Sequence, residues 1–268
     1  MGLSSEVIEA PSPSRPFFPD GAAIRRVHRE GVVLLGGGRA LLMQVAHPAV
    51  AKGVAEHSGF RQGKRARLMR TLRPTLAIVF GTETQAHEAA RSINRVHAGV
   101  AGVGYRADDP ELLFWVLATL IDTAMYMHSR FLRPLAEAEA EAYYEDMLAA
   151  GGLLGVRRDL SPPDLRGFRE YMALASSRLE VTPEAREIAR DLFSGRGLSG
   201  LGGWALRQMT VALLEPELRD AYGFAWSAGQ ERASRALVRL AGVVLRHAPR
   251  AARGVPWFLL PPRQVQPG

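Results

Sequence analysis

The hydrophobic and polar positions of this chain follow helical spacing along nearly its whole length. Apolar residues recur at intervals of three and four, and no stretch alternates with a period of two for long. Residues 31–35 could pass for a short strand, but the helical spacing continues beyond them. The pattern therefore predicts an all-α protein. The predicted helices cover residues 39–56 (one or two helices broken near Pro48), 64–80, 84–102, 110–132, 137–150, 163–179, 183–193, 201–211, 216–223 and 228–245.

Helix start signals support several of these boundaries. Asp109 and Thr182 each precede a proline and a glutamate, so each offers a capping side chain followed by proline at the first helical position. Residues 194–203 carry five glycines and are predicted to be a flexible loop, but the composition does not change across them. We expect one helical domain at residues 21–250, a disordered arm at 1–20 and a proline-rich tail at 251–268.

Composition narrows the chemistry that is open to the chain. It contains no cysteine, so any metal must rely on histidine, carboxylate, methionine or a cofactor. The formal charge of +7 comes almost wholly from arginine. This charge permits nucleic acid, an anionic lipid surface or a cofactor with carboxylates as a partner. Because there is no RNP-type aromatic motif, zinc finger or block of consecutive basic residues, we expect no nucleic-acid partner.

The chain shows no pattern typical of a targeting or membrane segment. Residues 1–20 are polar and lack the basic start and apolar run of a secretory signal. The longest apolar stretch, residues 112–127, is interrupted by Asp122 and is shorter than the ~20 residues that a bilayer requires. We expect a soluble, cytoplasmic protein with no transmembrane segment.

One histidine lies on the apolar face of its predicted helix. His97 follows Ala86, Ala90 and Ile93 at spacings of three and four, so it should point toward the core. A buried imidazole must form a hydrogen bond or ligate a metal to offset its desolvation. Taken alone, the pattern favours a hydrogen-bonded core histidine over a metal ligand.

The preceding predicted helix carries a polar face. Arg67, Arg70 and Thr71 lie at i, i+3 and i+4, so two guanidinium groups and a hydroxyl share one side. Such a face beside an inward histidine would suit a cofactor with a metal centre and carboxylate tails, as heme has. A basic face exposed to solvent explains the same pattern equally well.

Asp122 and the glycines at residues 36–38 each allow a functional and a purely structural interpretation. Asp122 interrupts an apolar helix, either as a buried acid near a pocket or as the partner of an arginine, and the salt bridge is favoured. Residues 36–38 are three glycines that follow an apolar run, but Leu41 stands where a dinucleotide-binding motif has its third glycine. A plain turn is therefore favoured there.

A set of motifs resembles a known family, the rubber-oxygenase-like catalytic domain, which includes latex-clearing protein and the oxygenase of mycophenolic acid biosynthesis. The resemblance covers most of residues 21–245. The motifs that carry it are residues 37–50 (GGRALLMQVAHPAV), His57-Ser58, residues 67–71 (RLMRT), Phe80-Gly81, residues 95–98 (RVHA), Tyr105, Asp108-Asp109-Pro110, Trp115, Tyr143-Tyr144 and Leu154-Gly155-Val156.

The resemblance implies a single globin-like helical domain that binds heme b. By the same resemblance, His97 is the proximal ligand of the iron, and Arg67, Arg70 and Thr71 bind the cofactor. His47, in the Ala-His-Pro motif, would lie near the pocket as a distal group. The candidate catalytic residues are thus His47, Arg67 and Thr71.

The family usually has Trp-x-His where this chain has Trp115, Val116 and Leu117. The activity implied by the resemblance is oxidative cleavage of an isoprenoid double bond by dioxygen. The predicted function is a heme-dependent oxidoreductase, an oxygenase that acts on a hydrophobic or isoprenoid-like small molecule. One alternative is a non-catalytic heme or hydrophobic-ligand binding protein of the same fold. Another is a helical protein whose basic face docks a partner. The sequence leaves the oligomeric state open.

Overall fold

The computed structural model describes residues 11–57, 64–193 and 201–262, with the side chains of residues 64–71, 201–203 and 257 outside the description. Within these ranges most residues are helical. The helices are α1 (Ala23–His28), α2 (Val32–Leu35), α3 (Gly37–Val45), α4 (Pro48–His57), α5 (Lys64–Phe80), α6 (Glu83–Ala98), α7 (Pro110–Phe131), α8 (Glu137–Leu153), α9 (Leu165–Ser177), α10 (Pro183–Phe193), α11 (Leu201–Ala212), α12 (Pro216–Ala221), α13 (Ala228–His247) and α14 (Arg250–Arg253). Two short 3₁₀ turns, Arg158–Leu160 and Trp257–Leu259, complete the helical part.

The all-α, single-domain prediction is confirmed. The break expected near Pro48 separates α3 from α4, because proline takes the first position of the new helix. Residues 31–35, the candidate strand, form α2 and the turn before it. The glycine-rich residues 194–200 lie outside the described part of the chain.

The cap predicted at Asp109 is present. Its carboxylate accepts the backbone N–H groups of Glu111 (2.9 Å) and Leu112 (3.4 Å), and Pro110 begins α7. At α6, the Thr82 hydroxyl and the Gln85 side chain form a reciprocal capping box. These side chains satisfy the first backbone donors and thereby fix where each helix begins.

Helix α7 forms the centre of the core. It packs against α1, α2, α3, α8, α9 and α13, and Ala118, Ile121 and Met127 are fully buried. By length and composition alone it could cross a bilayer, and it meets that criterion alone among the described helices. More than half of its apolar stretch is buried, which is also typical of the core helix of a globular protein.

A two-stranded hairpin follows α6. Strands β1 (Ala101–Gly102) and β2 (Tyr105–Arg106) pair antiparallel, and Gly104 adopts a φ of +83°, a conformation that favours glycine. The Tyr105 ring lies so close to Gly53 that a Cβ there would be 3.2 Å from the ring. The hairpin is thereby held against α4.

The glycines at residues 36–38 lie at the junction of α2 and α3, with no left-handed residue among them. A Cβ on Gly36 would lie 2.6 Å from Thr123 and 2.8 Å from Met127. The absence of side chains therefore lets this junction approach α7, which is a packing role.

Arg39, on α3, is the largest of the fully buried side chains in the described part of the chain. Its guanidinium donates to Asp122 (2.8 Å), to the Thr123 hydroxyl (2.8 Å) and to the Leu213 carbonyl (3.0 Å), and it also pairs with Glu215. The favoured interpretation of Asp122, a salt bridge with an arginine, is confirmed. This network ties α3 to α7 and to the turn after α11.

Residues of both predicted terminal segments contact the domain. Phe18 is buried, and the backbone N–H of Phe17 donates to the Gly81 carbonyl (3.2 Å). Near the other end, the N–H of Gly31 donates to the Arg253 carbonyl (2.8 Å), and Leu259 is buried. Residues 11–20 and 251–262 thus pack on the helices, because each brings an apolar side chain to bury.

Candidate functional site

His47 lies at the junction of α3 and α4. Its half-buried ring is 6.4 Å from the Trp115 ring of α7, centroid to centroid. The Trp115 indole N–H donates to the carbonyl of Gln44 (3.2 Å), close to this junction. The contact fixes the end of α3, and with it His47, against α7.

His97 lies in the last turn of α6. The sequence places it on the face of Ala86 and Ala90, and both alanines are buried while His97 is half-buried. Its carbonyl accepts the N–H of Val100 (2.9 Å). This hydrogen bond forms the turn between the end of α6 and the hairpin. The His97 side chain is thus partly shielded from solvent at the end of this face.

Burial lowers the pKa of both histidines. For His47, desolvation is opposed by Asp109 and Glu111, and for His97 it is opposed by Asp108. Both rings are therefore neutral near pH 7, which is the form that ligates a metal. Acidic side chains of residues 108–111, before and at the start of α7, thus act electrostatically on both histidines.

Three buried polar atoms in this region have no hydrogen-bond partner in the described part of the chain. They are Nδ1 of His47, Nδ1 of His97 and Oδ1 of Asn94. The Asn94 amide donates to the Leu153 carbonyl (2.9 Å), which fixes the side chain one turn before His97. Unpaired buried polar atoms are costly, and a group of them is typical of a site that takes a ligand.

The polar face of α5 can be located only through its backbone. Arg67, Arg70 and Thr71 lie on this helix, but their side chains are outside the description. Only Gly81 and Thr82 separate α5 from α6, and the two helices pack against each other, so the chain reverses there. Arg67 and His97 are nearly the same number of residues away from this connection. In two antiparallel helices, this places the start of α5 beside the end of α6.

A hydrogen-bonded cluster connects α4 to the hairpin. The Tyr105 hydroxyl donates to Glu56 (2.6 Å) and lies 3.0 Å from Nδ1 of His57. Burial, followed by the hydrogen bond to Glu56 and the charge of that carboxylate, raises the pKa of Tyr105 to about 12. No local sequence pattern predicts this cluster, because Tyr105 is about fifty positions from Glu56 and His57 and only folding joins them.

Leu117 occupies an apolar site. It is buried on α7, and a Cβ on Gly151 of α8 would lie 2.5 Å from its Cδ2 atom. The position where the resembled family usually has histidine thus contributes helix packing in this chain.

The side chains that could bind a metal in this part of the protein fit a cofactor whose metal needs a single protein ligand. No group of three or more histidine or carboxylate side chains is placed to hold a bare metal ion in the described ranges. Heme would require one protein side chain to hold its iron. A neutral, half-buried histidine with a spare ring nitrogen meets that requirement.

The model of the family described as "ER-bound oxygenase mpaB/B'/Rubber oxygenase, catalytic domain" matches residues 24–243. The chain belongs to this family, and its general role is that of an oxygenase.

Two curated relatives are similar to this chain. The uncharacterized proteins Mb2261 of Mycobacterium bovis and Rv2237 of Mycobacterium tuberculosis are each 31% identical over 209 residues, covering 72% of this chain and 80% of each relative. The chain has no match among solved structures.

Proposed function

We propose that this oxygenase is heme-dependent and acts on a hydrophobic or isoprenoid-like small molecule, with dioxygen as co-substrate. The observation that carries the proposal is His97, a neutral and half-buried imidazole on the apolar face of α6, whose buried Nδ1 has no hydrogen-bond partner among the described side chains. A histidine in this state would be suited to hold a heme iron.

Each candidate residue has a defined task in this proposal. Heme b, when bound, supplies the redox chemistry of dioxygen. His97 would hold the iron, while Arg67 and Arg70 would bind the carboxylate tails through charge-assisted hydrogen bonds. Thr71 would add a hydroxyl donor on the same face of α5. These assignments combine the shared helix face with the reversal of the chain between α5 and α6.

His47 is proposed to act on the distal side. A neutral imidazole can accept a hydrogen bond at one ring nitrogen and donate one at the other. His47 can therefore orient a polar atom of the co-substrate or hold a proton near it. The Trp115 ring, 6.4 Å away between centroids, gives His47 a buried apolar neighbour, which suits a hydrophobic substrate.

A second candidate function is favoured by Leu117. This leucine is buried against Gly151 and stands where the resembled family usually has a histidine, so the polar side chain is missing at this position. A non-catalytic heme or hydrophobic-ligand binding protein would need His97 but not a second histidine. We propose the cytoplasm as the location of either form.

A visible absorption titration tests the proposal. The purified protein is mixed with hemin, and the expected result is a saturable Soret band at one heme per chain. Oxygen consumption is then measured with the loaded protein and hydrophobic alkenes. Consumption supports the oxygenase, while heme binding without consumption supports the binding protein. Absence of a Soret band overturns the heme-dependent oxygenase and the heme-binding protein, and favours a binding protein for another hydrophobic ligand.

A further inference from the structure

Helix α13 carries an apolar surface that the fold leaves uncovered. Leu237, Leu240, Val243 and Val244 are 66%, 62%, 47% and 58% exposed. They account for four of the twelve exposed large hydrophobic side chains in the described part of the chain, whereas the others are scattered over several elements. Clustered exposure on one helix is typical of an interaction surface.

This surface is distinct from the face by which α13 joins the core. Val238, Ala241 and Leu245 pack against the core at spacings of three and four. A Cβ on Gly242 would lie 3.2 Å from the Phe131 carbonyl, so the helix sits close to α7 on this side. A surface helix needs only one apolar stripe to stay docked, and α13 has a second one.

A row of arginines lies beside the exposed stripe. Arg232, Arg235, Arg239 and Arg246 recur at helical spacing and are exposed, and Arg246 also donates to the Leu132 carbonyl (3.2 Å). The only acid on α13, Glu231, pairs with Arg219 and Arg235 and accepts the Trp226 indole N–H (2.8 Å). The outer surface of α13 is therefore apolar on one side and strongly basic on the other.

We propose that α13 is a membrane-docking helix that lies on an anionic lipid surface. Its aliphatic stripe (Leu237, Leu240, Val243 and Val244) would enter the boundary between headgroups and acyl chains, and its arginine row would contact lipid phosphates. The positive charge of the arginine row favours an anionic lipid surface over a second copy of this chain, because two copies that met through α13 would bring two arginine rows together. The formal charge of +7 on the whole chain acts in the same direction. The inference does not depend on heme or on oxygenase activity.

Co-sedimentation with vesicles tests the inference, using the full chain and vesicles of phosphatidylcholine with or without phosphatidylglycerol. We expect binding to the anionic vesicles, weaker binding to the neutral ones, and loss of binding as salt rises. The double variant Leu237→Ser/Leu240→Ser should bind about tenfold more weakly. Its matched control is Leu160→Ser/Leu174→Ser, at positions that are 50% and 52% exposed on other elements.

The arginine row is tested separately. Arg232→Gln/Arg239→Gln should reduce affinity for anionic vesicles by at least about tenfold, because each arginine near such a surface contributes about fivefold. The control, Arg166→Gln/Arg178→Gln, removes two exposed arginines elsewhere and should leave binding unchanged.

The inference is overturned if the wild type fails to bind anionic vesicles or if both α13 variants bind as well as their controls. It is also overturned if light scattering finds a dimer that Leu237→Ser/Leu240→Ser dissociates, without vesicle binding. That result would make a second copy the occupant. Because all the substituted side chains are exposed, circular dichroism should show the same helix content in every variant.

Discussion

Gly38 faces the side chain of Thr210 with no space between them. A methyl group on Gly38 would collide with the Thr210 hydroxyl and lie 2.9 Å from its Cγ2 atom. Thr210 is fully buried on α11, and its stiff branched side chain cannot move aside. The close approach of α3 to α11 therefore depends on one missing methyl group.

Replacing this glycine should destabilise the fold. Gly38→Ala is expected to lower the free energy of unfolding by about 1–3 kcal/mol, the usual cost of overpacking. Gly37→Ala, in the same turn, is the control, because a methyl there meets nothing within 4 Å. It should leave the stability unchanged or raise it by up to about 1 kcal/mol. Urea unfolding of both variants measures the difference, and equal values would refute the contact.

Removing the buried guanidinium of Arg39 should destabilise the fold. Arg39→Met leaves Asp122 and Glu215 without their partner and should cost about 3 kcal/mol. The control is Arg133→Gln, which breaks an exposed pair with Glu139 and should cost less than about 1 kcal/mol. Thermal melting ranks the two variants, and the reverse order would contradict the network.

His97→Ala should abolish the Soret band while the helix content is retained, since the variant removes the proposed iron ligand. His87→Ala is the control, because that ring packs on Phe17 (6.0 Å between centroids) away from the proposed ligand. His47→Ala should keep the heme and lower oxygen consumption, because a distal group tunes reactivity without holding the metal. A full, unshifted Soret band in His97→Ala would show that the ligand assignment is wrong.

The polar face of α5 gives a prediction about heme retention. Arg67→Ala or Thr71→Ala should speed heme transfer to apomyoglobin by about tenfold, as loss of a hydrogen bond to a carboxylate implies. Arg73→Ala, an exposed position on the same helix, should transfer heme at the wild-type rate. Equal rates in all three variants would mean that this face is simply exposed to solvent.

His28 makes stability depend on pH. Burial lowers its pKa to about 4, and its Nε2 atom lies 3.1 Å from the Tyr143 hydroxyl. The unfolded chain takes up a proton near pH 6.5, whereas the folded chain resists until about pH 4. Stability should therefore fall as the pH drops from 6.5 to 4, by at most about 3 kcal/mol from this group.

The comparison for this prediction is His28→Gln. The variant should unfold with a shallower dependence of stability on pH over the same interval, even if its stability at pH 7 is lower. Denaturant titrations at pH 7, 6 and 5 provide the slopes. Parallel slopes would assign the acid sensitivity to other groups.

The helices were predictable because their signals are local. The spacing of apolar residues, Pro48 and the Asp109 cap all act within a few positions, and the observed bounds follow them. The salt bridge of Asp122 was also predictable, since a carboxylate in an apolar helix requires a partner. Its identity was not, because Arg39 lies 83 positions away.

The rest of the candidate site depends on contacts that no local pattern encodes. Glu56 and Tyr105 meet only when the hairpin folds over α4, and Leu117 meets Gly151 only when α7 packs on α8. Short helices such as α1 and α2 were missed because four to six residues carry too little periodicity. Assigning His97 needed the family resemblance, since its helix face alone favoured a hydrogen-bonded core histidine.

The two described ends of the chain meet at the start of α6. Thr84 donates its hydroxyl to the Pro11 carbonyl (3.0 Å), and Gln85 donates its amide to the Pro262 carbonyl (3.2 Å). A short linker joining residues 11 and 262 would therefore give a circular permutant with the same neighbours throughout. Because α6 is 16 residues long, a label or affinity handle at this point would lie ~24 Å from the His97 end.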